Sequence, residues 1–218
     1  MALPRLIYFS SRGRAELIRL LLAEAGVEYE EEGVGPYHST DKSQEVRALK
    51  DSGELPFDAL PLWQEPDGFT LAQSEAIVRY LARKHGRYGA DLRESALCDM
   101  VMEGVKDLIS DVSKIWSVEP GKRAELRARL DREIVPHWLS ALERIVARNP
   151  SGFAAGNAVT CADLALFLVV ERLTGYGLAT GLTTCPTLVT LAERVRSLPR
   201  VAAYLSNPAR YPLQLLPA

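Results

Sequence analysis

Residues 61–81 constrain this chain more than any other stretch: Pro61-Leu62-Trp63-Gln64-Glu65-Pro66-Asp67-Gly68-Phe69-Thr70-Leu71-Ala72-Gln73-Ser74-Glu75-Ala76-Ile77-Val78-Arg79-Tyr80-Leu81. They read as strand, Asp-Gly turn, strand, and a helix with Ser74 as its N-cap. Proline has no N–H to give a sheet ladder, so Pro61 in the first strand marks an edge, a bulge or a turn. The N–H groups of a helix's first turn lack intrahelical acceptors and attract anions. Together these suggest a binding edge for a short peptide that carries carboxylates.

Ahead of this segment, Leu6-Ile7-Tyr8-Phe9 is a short apolar and aromatic run, hence a strand. Leu17, Ile18, Leu20, Leu21 and Leu22 follow at helical spacing, with Glu16, Arg19 and Glu24 between them. Gly26 suits the C-terminal cap of that helix. Residues 27–34 alternate weakly, as an exposed or edge strand does. A β-α-β start implies a parallel pair. A further helix is expected over 43–50. The order β-α-β-(α)-β-β-α within residues 1–85 is thioredoxin-like: a small mixed sheet with helices on its faces.

Gly86-Arg87-Tyr88-Gly89-Ala90 breaks the pattern, so 86–91 reads as a linker and 92–218 as an all-helical domain. The expected class is therefore α/β followed by all-α. Helices are expected over 94–118 and 122–147, from Thr160 onward, and over 186–198 and 200–206. Pro136 inside the second predicts a kink. Thr160 with Asp163 three residues later is a capping-box pattern. Leu164, Leu166, Phe167, Leu168 and Val169 make that helix apolar nearly all round, so it is expected to be central and buried.

At 218 residues, 47% hydrophobic and 25% charged, the chain is long enough for one large globular domain or two small ones that share an interface. A net charge of −2 without a long basic run argues against nucleic acid. No apolar stretch approaches the roughly 18 residues of a membrane helix. The N-terminus lacks a signal-peptide layout, because the apolar run between Arg5 and Arg12 is too short. A cytoplasmic location is the expectation. Cys98, Cys161 and Cys185 are widely spaced with no C-x-x-C, so they read as free thiols, buried or partly buried. His38, His85 and His137 lack ligand spacing, and no metal is expected. Nucleophile-elbow, phosphate-loop and dinucleotide fingerprints are absent from the sequence.

Four places remain for chemistry. Tyr8 ends the first strand, and a phenol there points out of the sheet's carboxyl end, where α/β ligand sites form; the plain alternative is a half-buried sheet tyrosine. Arg12 and Arg14 begin a helix against its dipole. Either they are solvated charges, or one bonds a ligand or caps a neighbouring loop. Leu60-Pro61 is a candidate cis bond whose backbone suits strand addition by an extended peptide; the alternative is a bare edge proline. Gln73-Ser74 joins strand to helix, and binds a ligand only if a carboxylate sits on the helix's N–H groups.

Six motifs, in order along nearly the whole chain, resemble the cytosolic glutathione S-transferases. Ile7-Tyr8-Phe9-Ser10-Ser11-Arg12-Gly13-Arg14-Ala15 looks like the start of the tyrosine-type classes, in a sigma-, pi- and mu-like manner. Leu55-Pro56-Phe57-Asp58-Ala59-Leu60-Pro61-Leu62 resembles the family's cis-proline loop, and Leu71-Ala72-Gln73-Ser74-Glu75-Ala76-Ile77-Val78-Arg79-Tyr80-Leu81 its strand-helix motif. Tyr88-Gly89, the run from Asp99 to Leu108, and the run from Phe153 to Asp163 are similar to its helical domain.

The resemblance implies glutathione as co-substrate, no metal, and a hydrophobic electrophile as the second substrate. It implies that Tyr8 hydrogen-bonds the glutathione sulfur, because its neighbours match tyrosine-type members, with Ser10 or Ser11 as the alternative donor. Leu60, beside Pro61, pairs its backbone with the cysteinyl residue. Gln73 and Ser74 hold the γ-glutamyl end, Arg14 lies near the ligand, and Lys50 or Lys42 meets the glycyl carboxylate. Asp107 reaches the γ-glutamyl amine of a neighbouring subunit, which implies a homodimer. Ser10, Ser11, Ser113, Trp116 and the C-terminal tail line the electrophile pocket, part of which the helical domain carries. The implied role is detoxification, with accessory peroxidase activity as an addition. A glutathione-dependent isomerase, such as a prostaglandin D synthase, and a non-catalytic ligand-binding member are the alternatives. Two departures stand out. Ala59 occupies a position where the family often has Gln, and the usual tryptophan at the glycyl end is absent unless Tyr37 substitutes.

Overall fold

The computed structural model describes residues 2–36 and 44–217. Tyr37, His38 and Lys42, named above, and residue 43, the first of the helix expected over 43–50, lie outside the described residues. The chain divides into two compact units, Met1–His85 with Pro199–Gln214, and Gly86–Leu198 with Leu215–Ala218.

In the first unit, β1 (Arg5–Tyr8), β2 (Glu30–Gly33), β3 (Leu62–Gln64) and β4 (Thr70–Ala72) form one sheet in the order β2-β1-β3-β4. β1 runs parallel to β2, with Tyr8 opposite Gly33. It runs antiparallel to β3, with Ile7 opposite Leu62. β3 and β4 pair through the Asp67-Gly68 hairpin, with Leu62 opposite Ala72. The crossover helix is α1 (Glu16–Ala25), closed by Gly26 at φ 70. α2 (Gln44–Asp51) and α3 (Ser74–Lys84) complete this part. α1 packs on α3 and on α9 (Pro199–Leu205), which belongs to this unit. Leu6, Ile7, Ile18, Leu20, Leu21, Leu62, Ile77 and Leu81 form the core. Glu16, Arg19 and Glu24 are buried too, although charges between apolar helix positions usually mark a wet face.

The second unit holds α4 (Leu92–Ser113), α5 (Arg123–Arg129), α6 (Val135–Ala147), α7 (Cys161–Tyr176) and α8 (Pro186–Arg196). α4 starts two residues earlier than expected because Asp91 caps it, accepting the N–H groups of Arg93 at 2.8 Å and Glu94 at 2.9 Å. α7 packs on α4 and α8, and its residues from Cys161 through Val170 are all buried, as its pattern requires. The single helix expected over 122–147 is instead α5, a π turn over Leu130–Ile134, and α6 with Pro136 in its first turn. Proline lacks an N–H and its ring collides with the carbonyl four residues back, so the ladder widens just ahead of it. Among the described residues no helix is long and apolar enough to cross a membrane.

Candidate functional site

Register alone gathers the site. Ile7, Leu62 and Ala72 stand side by side across three antiparallel neighbours. The next residue at the same end of each strand is therefore Tyr8, Pro61 and Gln73. These three were singled out from separate motifs, and the sheet brings them to one edge.

Tyr8 is more enclosed than a phenol aimed at solvent. It is 1% exposed, with its ring edge-on to Phe9 at 5.2 Å. Its hydroxyl accepts the backbone N–H of Arg14 at 3.0 Å. A hydroxyl can donate while it accepts, and accepting a bond polarises it into a stronger donor. Arg14 thus serves Tyr8 through its backbone, while its side chain stays exposed.

Gly13 bears on the candidate site in a way that the sequence reading missed. Its φ is +40, and a Cβ there would lie 2.8 Å from Tyr8 Cε1 and closer still to Oη. Only glycine lets the turn close on the phenol. The motif Arg12-Gly13-Arg14 carried the signal, but nothing in it said what the glycine touches. Arg12 takes the loop-capping option. Its Nε donates to the carbonyl of Tyr211 at 2.6 Å.

The Leu60–Pro61 bond is cis and leads directly into β3. Leu60 is half-buried and Pro61 is buried. The N-cap of α3 is Gln73, not Ser74. The chain turns at Gln73, with φ 72 and ψ 113, so Ser74 already has helical geometry and is the first helix residue, 8% exposed. A non-glycine residue held in such a conformation costs of order 1–3 kcal/mol and is typical of ligand clamps.

Lys50 is half-buried near the end of α2. Ser10 is exposed, and its N–H donates to the carbonyl of Gly35 at 2.9 Å. Asp107 and Ser113 are exposed on α4, and Trp116 is 38% exposed in the 3-10 turn that follows. These last three belong to the second unit.

Competing chemistry is thin. Cys98, Cys161 and Cys185 are free and buried. A hydrogen bond from Cys161 holds the Cys98 thiol below its usual range, while the same bond and burial push Cys161 up. No cluster able to hold a metal is found among the described residues. An open depression of about 470 Å³ in the second unit is lined by Asp111, Glu133, Ile134, His137 and Trp138. Its carboxylates are already engaged, Asp111 by Lys114 at 2.7 Å and by Trp138 at 3.0 Å, and Glu133 by Arg129 at 3.6 Å. Lys114 first, then Trp138, holds the Asp111 carboxyl below its usual value.

Residues 4–83 match the family model for the glutathione S-transferase N-terminal domain, and residues 106–208 match that for the glutathione S-transferase C-terminal domain. The chain belongs to the glutathione S-transferase family. It is 36% identical over 202 residues to glutathione S-transferase A1 of Mus musculus, spanning 93% of this chain and 87% of that protein. It is 37% identical over 205 residues to glutathione S-transferase alpha-2 of Rattus norvegicus, with the same coverage of 93% and 87%. Among solved structures it is similar to monomeric Na-GST-3, a glutathione S-transferase of the hookworm Necator americanus, at 29% identity and a TM-score of 0.80, covering 94% of this chain and 96% of that one. The N-terminal family match contains Tyr8, Gly13, Pro61, Gln73 and Ser74. The sheet edge described above thus lies within the matched domain.

Proposed function

We propose that this chain is a glutathione transferase of the tyrosine type, joining the glutathione thiolate to electrophilic small molecules. The observation that carries the reading is the Arg14 N–H on Tyr8 Oη at 3.0 Å, at the sheet edge shared with Pro61 and Gln73. Tyr8 then donates its O–H to the glutathione sulfur and favours the ionised thiol. A thiol with pKa near ~8.5 is mostly protonated at pH 7, and lowering it by about two units takes roughly 2.7 kcal/mol. One charge-assisted hydrogen bond supplies roughly 1.5–3 kcal/mol. The thiolate attacks an electrophilic carbon, the C–S bond forms, and the leaving group departs with its electron pair.

In this reading the Leu60 backbone pairs with the cysteinyl residue, and Gln73 and Ser74 receive the γ-glutamyl carboxylate at the start of α3. Lys50 meets the glycyl carboxylate, Arg14 lies by the ligand, and Ser10, Ser113 and Trp116 contact the electrophile. Asp107 reaches the γ-glutamyl amine of a second copy, and the protein acts in the cytoplasm as a homodimer in detoxification. The alpha-class name of the rat relative supports the family and leaves the sigma-, pi- or mu-like likeness to the motifs alone.

The test is retention on immobilised glutathione, followed by conjugation of a generic aryl halide by wild type and Tyr8→Phe. Removing one positioned donor at a developing anion lowers the rate by about 10²-fold. Equal rates would remove Tyr8 from the mechanism.

A further inference from the structure

We infer that the C-terminal segment around Arg210 and Tyr211 is a positioning element for Tyr8, holding the turn that presents the Arg14 N–H. The inference rests on the reading that Tyr8 activates the thiol. Residues 207–214 have no regular helix or strand, and a segment without such hydrogen bonding keeps one conformation only where other contacts tie it down. Here it is tied three times, each time next to the Tyr8 turn.

Arg12 Nε donates to the Tyr211 carbonyl at 2.6 Å. Arg210 donates Nε to Glu16 Oε1 at 2.9 Å and brings Nη2 to the same oxygen at 2.8 Å. The Arg19 guanidinium lies over the Tyr211 ring at 4.8 Å and 5.8 Å from the centre of the Tyr8 ring. Arg19 Nη1 also donates to the carbonyls of Ser11 at 2.9 Å and Arg12 at 3.2 Å. The Arg210 and Glu16 side chains are 6% and 2% exposed, so their pairing is desolvated and costly to break.

The placement of these ties argues against simple fold glue. The base of the segment is already fixed, because α9 packs on α1 and Arg200 Nη1 donates to the Glu24 carbonyl at 3.4 Å. The further ties land on residues 12, 16 and 19, which flank Gly13 and Arg14. They fix the strip of backbone that must stay in place for Tyr8 Oη to keep its donor. Loosening it leaves the phenol a poorer, less well-aimed donor, and the bound thiol ionises at higher pH.

The experiment compares wild type, Arg210→Ala, Tyr8→Phe and the double variant, as full-length protein. Arg210→Ala is expected to speed hydrogen exchange at the Arg14 amide. It should raise the pH at which bound glutathione becomes thiolate by about one unit, and so lower kcat/KM about tenfold below that pH. In the Tyr8→Phe background the same change should cost little, because the segment acts through Tyr8. Arg210→Lys, which keeps an ion pair with Glu16, should recover part of the loss. Should Arg210→Ala fail to fold, Arg210→Lys is read in the same cycle. Unchanged Arg14 exchange, an unmoved pH profile, or full additivity with Tyr8→Phe would overturn the inference. A wild type without conjugating activity would sink the functional reading instead, and Arg14 exchange would still decide the positioning claim.

Discussion

The backbone N–H of Arg14 lies 3.0 Å from the hydroxyl oxygen of Tyr8, and Gly13 leaves room for that approach. The bond links a strand end to the turn that starts the next helix. It fixes where the phenol stands and strengthens its own donation.

Gly13→Ala is therefore expected to damage both stability and activity. A side chain at φ +40 is strained, and its Cβ meets the Tyr8 ring at 2.8 Å. The strain alone costs roughly 1–2 kcal/mol. The displaced phenol should reduce turnover about tenfold, since a tenfold change needs only about 1.4 kcal/mol of transition-state stabilisation. Thermal melting and aryl-halide turnover check the two parts, and a variant matching wild type in both would be contrary.

Asp163 anchors the second unit. It is fully buried and accepts the Ala154 N–H at 2.7 Å, the Thr160 N–H at 2.8 Å and the Thr160 hydroxyl at 2.7 Å. Asp163→Ala strands two backbone N–H groups, each at about 1–3 kcal/mol. The total expected loss is about 3–5 kcal/mol, read by urea unfolding. A loss below about 1 kcal/mol would mean that water or a rearranged loop replaces the carboxylate.

Glu65 makes part of the stability acid-labile. Burial pushes its carboxyl up, but hydrogen bonds from Lys84, Trp63 and Tyr80 together bring it below its usual value near 4.5. A carboxyl lowered in the folded state stabilises fully above the unfolded value and stops doing so as pH falls through the folded one. Wild type should thus exceed Glu65→Gln in stability at pH 7, and the gap should start to narrow below about pH 4.5 and close as pH passes the lower, folded-state value. Denaturation midpoints across pH 3–7 give the comparison, and a gap that persists in acid would show that the charge is not responsible.

Asp107→Ala should weaken glutathione binding several-fold without unfolding the protein, provided a second copy supplies the ligand that Asp107 reaches. Light scattering gives the assembly and calorimetry the affinity. A monomer in solution, as the hookworm relative is described, would end the cross-subunit role.

Local chemistry made much of the first unit legible. The Asp67-Gly68 turn between two short runs, the helical spacing of Leu17 to Leu22 and the Gly26 cap are written in neighbouring residues, and the structure has each of them. The Thr160–Asp163 box and the apolar α7 were legible for the same reason. Boundaries were less so. The turn into α3 falls on Gln73, directly after strand pairing ends at Ala72 and one residue before the serine that propensity favours. Pro136 announced a break, and the structure gives that break the form of a π turn over Leu130–Ile134 just ahead of it.

By itself, then, the sequence determined the order of elements in the first unit and marked Tyr8, Leu60-Pro61 and Gln73 as site candidates, since each rests on residues close together in the chain. The tertiary structure alone decided that Tyr8, Pro61 and Gln73 share one sheet edge, because strand register is a long-range pairing. It alone also decided that Glu16 and Arg19 are buried. Their partners Arg210 and Tyr211 lie nearly the whole chain away, and helical periodicity reports which residues share a face but not what covers it.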